Sequence, residues 1–177
     1  RFIAESAFYG CSELTEVYFP GSVVTVPEMA FAFCESLERV TFCEGVMNID
    51  SQAFRCCHKL SYVDLPESLV GIGSGAFYYC DSLTTISIPS GVSNISDGNI
   101  FQYCYGLEDI IVSNDNQTFK SVDGVLFSID GSKLYSYALA KNDIFYIVPE
   151  GVKEICESAF ADCDNLIFVG IPNSIEV

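Results

Sequence analysis

Ile72 to Asn94 reads IGSGAFYYCDSLTTISIPSGVSN, and the same sentence is written again, with changes, on both sides of it. Aligning the copies puts Ile3, Val26, Ile49, Ile72 and Ile95 in one column with a period of 23 residues. Six further columns keep that period: Ala7/30/53/76, Phe8/31/54/77, Cys11/34/57/80, Leu14/37/60/83, Val17, Val40, Val63 and Ile86, and Phe19, Phe42, Leu65 and Ile88. A fixed period in this range is the signature of a solenoid, in which each repeat is one coil stacked on the next.

The chemistry of one coil explains the columns. In Leu14 to Pro20, Val17 and Phe19 alternate with Glu16 and Tyr18, which predicts a short strand with one face buried. Pro20, Pro66 and Pro89 end their strands, because Pro has no N–H to give to a ladder. The preceding Ala-Phe segment, Glu5 to Phe8 in the first copy, is too short for an independent helix and predicts a single helical or 3₁₀ turn on the outer side. One coil cannot bury its apolar side alone, so the copies must stack.

The pattern I-x-x-x-A-F-x-x-C-x-x-L-x-x-V-x-I-P-x-x-V resembles the BspA-like leucine-rich repeats of bacterial and protist surface proteins, and the resemblance covers nearly the whole chain. It implies an α/β-type repeat solenoid: a right-handed curved coil with a parallel β-sheet on its concave face, short strands and short helical turns. It also implies a secreted or cell-surface location and a function in binding rather than in catalysis.

The 177 residues read as one domain: regular repeats over 3–94, a slipped repeat over 95–113, an insertion and degenerate repeat over 114–154, and a final repeat over 155–177. In the slipped repeat Phe101, Cys104, Leu107, Ile110 and Val112 each fall one position late, and Asp97-Gly98 is the expected site of the extra residue. In the insertion, Phe119–Ser121, Val125–Ser128 and Lys133–Tyr137 read as strands punctuated by Asp123-Gly124 and Asp130-Gly131, which predicts a small antiparallel meander. Similar segments recur in the BspA-like family. Ile144 to Pro149 supplies a substitute strand with Tyr146 and Val148 inward and Phe145 and Ile147 outward. Both ends of the chain break off inside the pattern, which leads us to expect a longer parent protein and open ends able to associate with one another.

Eight Lys+Arg against 24 Asp+Glu give a net charge of −16. That excludes a nucleic-acid partner, whose phosphates need a basic face, and argues against an anionic membrane surface. No apolar run approaches the ~20 residues of a membrane helix, so no membrane insertion is expected. Nine cysteines raise the question of disulfides. Stacked coils lie ~4.8 Å apart with parallel side chains, whereas a disulfide needs Cβ atoms nearer ~3.8 Å and turned toward each other. Cys11, Cys34, Cys57, Cys80, Cys104 and Cys163 therefore read as free, buried thiols acting as small apolar side chains. Cys43, Cys56 and Cys156 lie outside the column, the last two at turn positions expected to meet solvent. So many thiols in a surface protein point to a reducing or anaerobic habitat.

The outward strand positions are the candidate protein-binding site. They are Glu16, Tyr18, Arg39, Thr41, Tyr62, Asp64, Thr85, Ser87, Asp109, Ile111, Phe145, Ile147 and Phe168. The N-terminal positions are mixed polar. Ile111, Phe145, Ile147 and Phe168 form an apolar group expected to lie close together, either as an interface, beneath the folded-over meander, or covered by adjoining repeats of a longer parent. The expected partner is a protein of the extracellular-matrix or receptor type. Alternatives are a structural spacer within a longer surface protein, or a carbohydrate module in which Tyr18 and Tyr62 offer stacking faces.

No enzyme chemistry stands out. Cys56-Cys57-His58 resembles a metal or nucleophile cluster, but the chain has one His, Cys57 belongs to the repeat column, and no metal or cofactor is expected. Asn114-Asp115-Asn116 with Asp123 is oxygen-rich, yet its spacing does not fit a calcium loop and it reads as a solvated turn. Asn94-Ile95-Ser96 and Asn116-Gln117-Thr118 fit the glycosylation sequon.

Overall fold

The computed structural model describes residues 2–96 and 100–175. Among the described residues all regular structure is strand: β1 (Glu16–Phe19), β2 (Thr25–Val26), β3 (Arg39–Phe42), β4 (Asn48–Ile49), β5 (Tyr62–Asp64), β6 (Gly71–Ile72), β7 (Thr85–Ile88), β8 (Asn94–Ile95), β9 (Asp109–Val112), β10 (Phe119–Val122), β11 (Val125–Ser128), β12 (Lys133–Tyr137), β13 (Phe145–Ile147), β14 (Glu154–Ile155) and β15 (Phe168–Gly170). The expected slip at Asp97-Gly98 lies outside the described residues.

The repeat columns become parallel ladders without a shift of register. Glu16, Arg39 and Tyr62 are partners along β1, β3 and β5, as are Val17, Val40 and Val63. The Ile column forms a second parallel ladder that sequence reading did not anticipate, with Val26 opposite Ile49, Ile49 opposite Ile72 and Ile72 opposite Ile95. Its strands are only two residues long, too short to leave an alternation signal. Between the two ladders runs a stack of phenylalanines, Phe8–Phe31–Phe54–Phe77–Phe101, with successive ring centroids 4.9, 5.7, 5.7 and 6.1 Å apart. Phe54 and Phe77 are fully buried there.

The expected helical turns are absent among the described residues, and the chain is a β-solenoid rather than an α/β one. The backbone hydrogen bonds give the reason. Ala7, Tyr9 and Cys11 donate three residues back, to Ala4, Ser6 and Phe8, closing successive β-turns, while Ser6, Phe8 and Gly10 donate across to Glu28, Ala30 and Ala32 of the next coil. A helix would spend every N–H along its own axis; here every second one stitches neighbouring coils together. The cost appears in the dihedrals. Ser6, Met29, Gln52 and Ser158 in one column, and Phe33, Cys56, Tyr79, Tyr103 and Asp162 in another, all have positive φ. Left-handed backbone disfavours L-residues, and the inter-coil bonds hold it in place.

All nine cysteines are free. Cys34, Cys57, Cys80 and Cys104 are buried, Cys163 is half-buried, and Cys11, expected inside, is exposed on the first coil. Cys56 and Cys156, expected to meet solvent, are buried instead. The column thiols also form hydrogen bonds: Cys34, Cys57, Cys80 and Cys104 donate to the carbonyls of Phe8, Phe31, Phe54 and Phe77 at 3.0–3.3 Å. Burial pushes the Cys34 thiol up to about 11 and that of Cys57 further.

The insertion folds as the sequence implies. β10, β11 and β12 are antiparallel, and Val122 pairs with Val125 across a two-residue turn in which Asp123 and Gly124 both have positive φ, as a type I′ hairpin requires. β12 then joins β14 in parallel, with Leu134 opposite Ile155, so the meander's last strand pairs with the Ile column of the final repeat in a sheet separate from β2-β4-β6-β8. Tyr137 takes a place in the Phe column, donating its N–H to Ala159 as Phe31 does to Ala53, with its ring 5.3 Å from Phe160. Asn116, read as part of a solvated turn, is 2% exposed: its Nδ2 donates to the Pro89 and Val92 carbonyls, and its Oδ1 accepts from the Thr118 and Phe119 N–H groups. With both amide hydrogens engaged inside the fold, Asn116 is closed to glycosylation in the native chain. No helix among the described residues is long and apolar enough to cross a membrane.

Candidate functional site: the concave strands

The outward positions of the first ladder face solvent as the alternation requires. Glu16, Tyr18, Arg39, Tyr62, Asp64, Thr85 and Ser87 are exposed, while Thr41 and Asp109 are half-buried. The face is not one sheet, however. Its strands form three separate ladders, β1-β3-β5, β7-β9 and β13-β15. Between β5 and β7 the coils are held from the loop instead, where Ser82 N–H and Oγ both donate to the His58 carbonyl and His58 Nδ1 lies 2.7 Å from Asp81 Oδ2, while β6 and β8 remain paired behind them. Between β9 and β13 the chain has inserted β10 and β11, which pack beside β9. β9 pairs with β7 and β13 with β15, so the insertion acts as a wedge that ends the ladder at β9.

That wedge decides the fate of the apolar group. Phe145 and Phe168 are register partners on β13 and β15, and Ile147 lies opposite Gly170, where a Cβ on the glycine would come within 2.8 Å of Ile147 Cδ1. Phe145, Ile147 and Phe168 are 63%, 60% and 57% exposed, so the meander does not cover them. Ile111, expected in the same group, sits on β9 in another ladder and does not join it. Ile144 and Ile167, one position before each strand, are also exposed and extend the patch.

In the N-terminal half, the Arg39 guanidinium lies 4.2 Å over the Tyr62 ring, which takes one face of that ring out of use for stacking. Tyr18 is 63% exposed, and its hydroxyl sits 2.7 Å from the Cys43 thiol, a contact that raises the tyrosine's pKa. Among the described residues no group of three or more His, Cys, Asp or Glu is placed to hold a metal ion.

Residues 1–128 and 131–177 match the family model described as the BspA type leucine-rich repeat region, in six copies. The chain belongs to the BspA-type leucine-rich repeat family. The match skips only residues 129 and 130, at the turn between β11 and β12, so the meander lies within the family pattern. No curated protein sequence matches this BspA-type chain. Among solved structures it is similar to a leucine-rich repeat protein from Eubacterium ventriosum, with a TM-score of 0.90 and 27% identity over 98% of this chain and 45% of that one. A leucine-rich repeat protein from Bacteroides ovatus has a TM-score of 0.71 and 30% identity over 97% of this chain and 41% of its own. The pneumococcal vaccine antigen PcpA, at 23% identity and a TM-score of 0.73 over 98% of this chain and 56% of its own, shares the fold. The chain spans about half the length of these relatives.

Sequence reading missed a second surface feature of these repeats. Tyr78, Tyr79, Tyr103 and Tyr105 cluster on the convex turns, with Tyr79 and Tyr103 stacked at 4.6 Å and the Arg55 guanidinium 4.8 Å over Tyr78. Tyr79 and Tyr103 share a repeat column with Phe33 and Cys56, and all four have left-handed backbone.

Proposed function

We propose that this chain is a non-catalytic protein-binding module of a secreted or cell-surface protein, and that it engages a matrix or receptor protein through its concave strands. The observation that carries this reading is the exposure of Phe145, Ile147 and Phe168 side by side on β13 and β15. Large apolar side chains grouped on a solvent-facing sheet mark an interface, and aromatic anchors dominate the energetics of such contacts. Membership of the BspA-type family supports both the binding role and the surface location. The polar strands on the N-terminal side, from Glu16 to Ser87, would form the rim that sets orientation.

Surface plasmon resonance against a panel of immobilised extracellular-matrix proteins tests the proposal. The chain is expected to bind a member of the panel, and Phe145→Asp with Phe168→Asp to abolish that binding while leaving the circular dichroism unchanged. Unchanged affinity in the double variant would remove the patch as the site.

A further inference from the structure

Among the described residues no strand pairs with the edge of β13 that faces away from β15. In a parallel ladder a strand turns the backbone groups of alternate residues to opposite sides. On the β15 side, the Ile144 carbonyl accepts from the N–H groups of Ile167 and Phe168 at 2.9 and 3.3 Å, and Val148 N–H donates to the Gly170 carbonyl at 3.0 Å. By alternation, the N–H and C=O groups of Phe145 and Ile147 point the other way. There the concave face has its second break, since β9 pairs with β7 and β13 with β15. The wedge of β10 and β11 leaves a groove of about 890 Å³ between β9 and β13.

The groove is acidic as well as open. Glu108, Asp109, Asp123 and Asp143 line it against a single ammonium, that of Lys141. Lys141 is already engaged, for its Nζ donates to the Asp123 carbonyl and lies 3.4 Å from the Asp143 carboxylate. The floor beside β13 is apolar, formed by Phe145 and Ile147.

We propose that this groove accepts an extended cationic segment of a partner protein, added as an extra strand to the free edge of β13. Its backbone would pair with Phe145 and Ile147; its alternate side chains would lie beside those two residues on the concave face, and its Lys or Arg residues would meet Glu108, Asp109 and Asp123. A second copy of this chain is a poor occupant, because it brings the same −16 charge to an acidic site. The proposal rests on the concave-face reading above and gives it a partner chemistry.

Fluorescence anisotropy of the full chain with three short labelled peptides tests it: one of alternating Lys and Val, the same peptide N-methylated at alternate residues, and a Glu/Val counterpart. The Lys/Val peptide is expected to bind and the other two to fail, since N-methylation removes the strand's donors while keeping its charge. Glu108→Gln with Asp123→Asn should weaken binding roughly fivefold to tenfold. Asn suits the left-handed turn at 123, so that variant keeps its hairpin. Glu5→Gln with Glu28→Gln, on the side of the second ladder, should leave binding unchanged within about twofold. Equal binding of the N-methylated peptide, or equal weakening by both variant pairs, would overturn the proposal and leave only general attraction to an acidic protein. Phe168 lies outside the groove, so the two readings fail separately. If Phe168→Asp alone abolishes matrix-protein binding while the N-methylated peptide binds as well as its parent, the patch stands and the added strand falls.

Discussion

The coils from Val26 to Asn94 and the region beyond Val112 are built from the same sentence, yet they solve different problems. In the first, aromatic rings, thiols and the strands of the second ladder stack on their own kind one coil away, and the concave ladder breaks only between β5 and β7. In the second, the meander supplies an antiparallel hairpin and a substitute Phe-column residue, Tyr137, and the core divides, with Val125, Phe127, Leu134, Tyr137 and Val148 packed apart from the main stack. Regular stacking closes a surface, whereas the insertion opens one. The exposed Phe145, Ile147 and Phe168 and the unpaired edge of β13 all lie on the irregular side, which is where a binding site needs them.

The largest test of this contrast is cavity formation. Phe54→Ala removes a fully buried ring from the middle of the stack and should cost about 3–5 kcal/mol in urea unfolding. Phe160→Ala, half-buried beside Tyr137 and Tyr146, should cost clearly less, and equal losses would mean that the two cores are packed alike. Next comes the junction. Asn116→Ala would leave the Thr118 and Phe119 N–H groups without their acceptor and two carbonyls without a donor, a loss of about 2–3 kcal/mol by the same measurement. A near-neutral result would show that water or local rearrangement replaces the clamp.

Smaller effects follow within the columns. Cys57→Val deletes the thiol bond to the Phe31 carbonyl and should destabilise by about 0.5–1.5 kcal/mol, with Cys57→Ser costing less because it keeps a donor. If Val is the better tolerated of the two, the thiol acts as a hydrophobe alone. The smallest effect concerns pH. Asp130 accepts from Ser128 Oγ and from the N–H and Oγ of Ser132, which hold its pKa at about 2 against an ordinary 3.8. Because the folded value is the lower one, its contribution is complete above the ordinary carboxylate range and is lost as the pH falls from about 4 toward 2. An NMR titration should find the Asp130 midpoint near 2, with the β11–β12 turn loosening at acid pH before the coils from Val26 to Asn94 do.

The repeat register was legible in the sequence because period-2 and period-23 signals coincide at Val17, Val40, Val63 and Ile86, and the hairpin was legible because Asp123-Gly124 leaves little choice of turn. The helical turns misled because Ala-Phe composition says nothing about where an N–H is spent; the inter-coil bonds that consume those groups are long-range. The outward exposure of Phe145, Ile147 and Phe168 could be read from alternation alone. That Ile111 stands apart could not, since it depends on where β10 and β11 insert relative to β9. The groove was invisible for the same reason: its acidic residues come from three segments, and none is unusual in its own stretch.

Residue-resolved amide hydrogen exchange across β3 and β13 tests the central contrast most directly. β3 is paired on both sides, so the amides of Arg39 to Phe42 should all be protected. In β13 protection should alternate, with Tyr146 and Val148 slow and Phe145 and Ile147 fast. If Phe145 and Ile147 are instead as protected as the β3 amides, the concave sheet is continuous across the insertion, and no free edge exists for a partner to use.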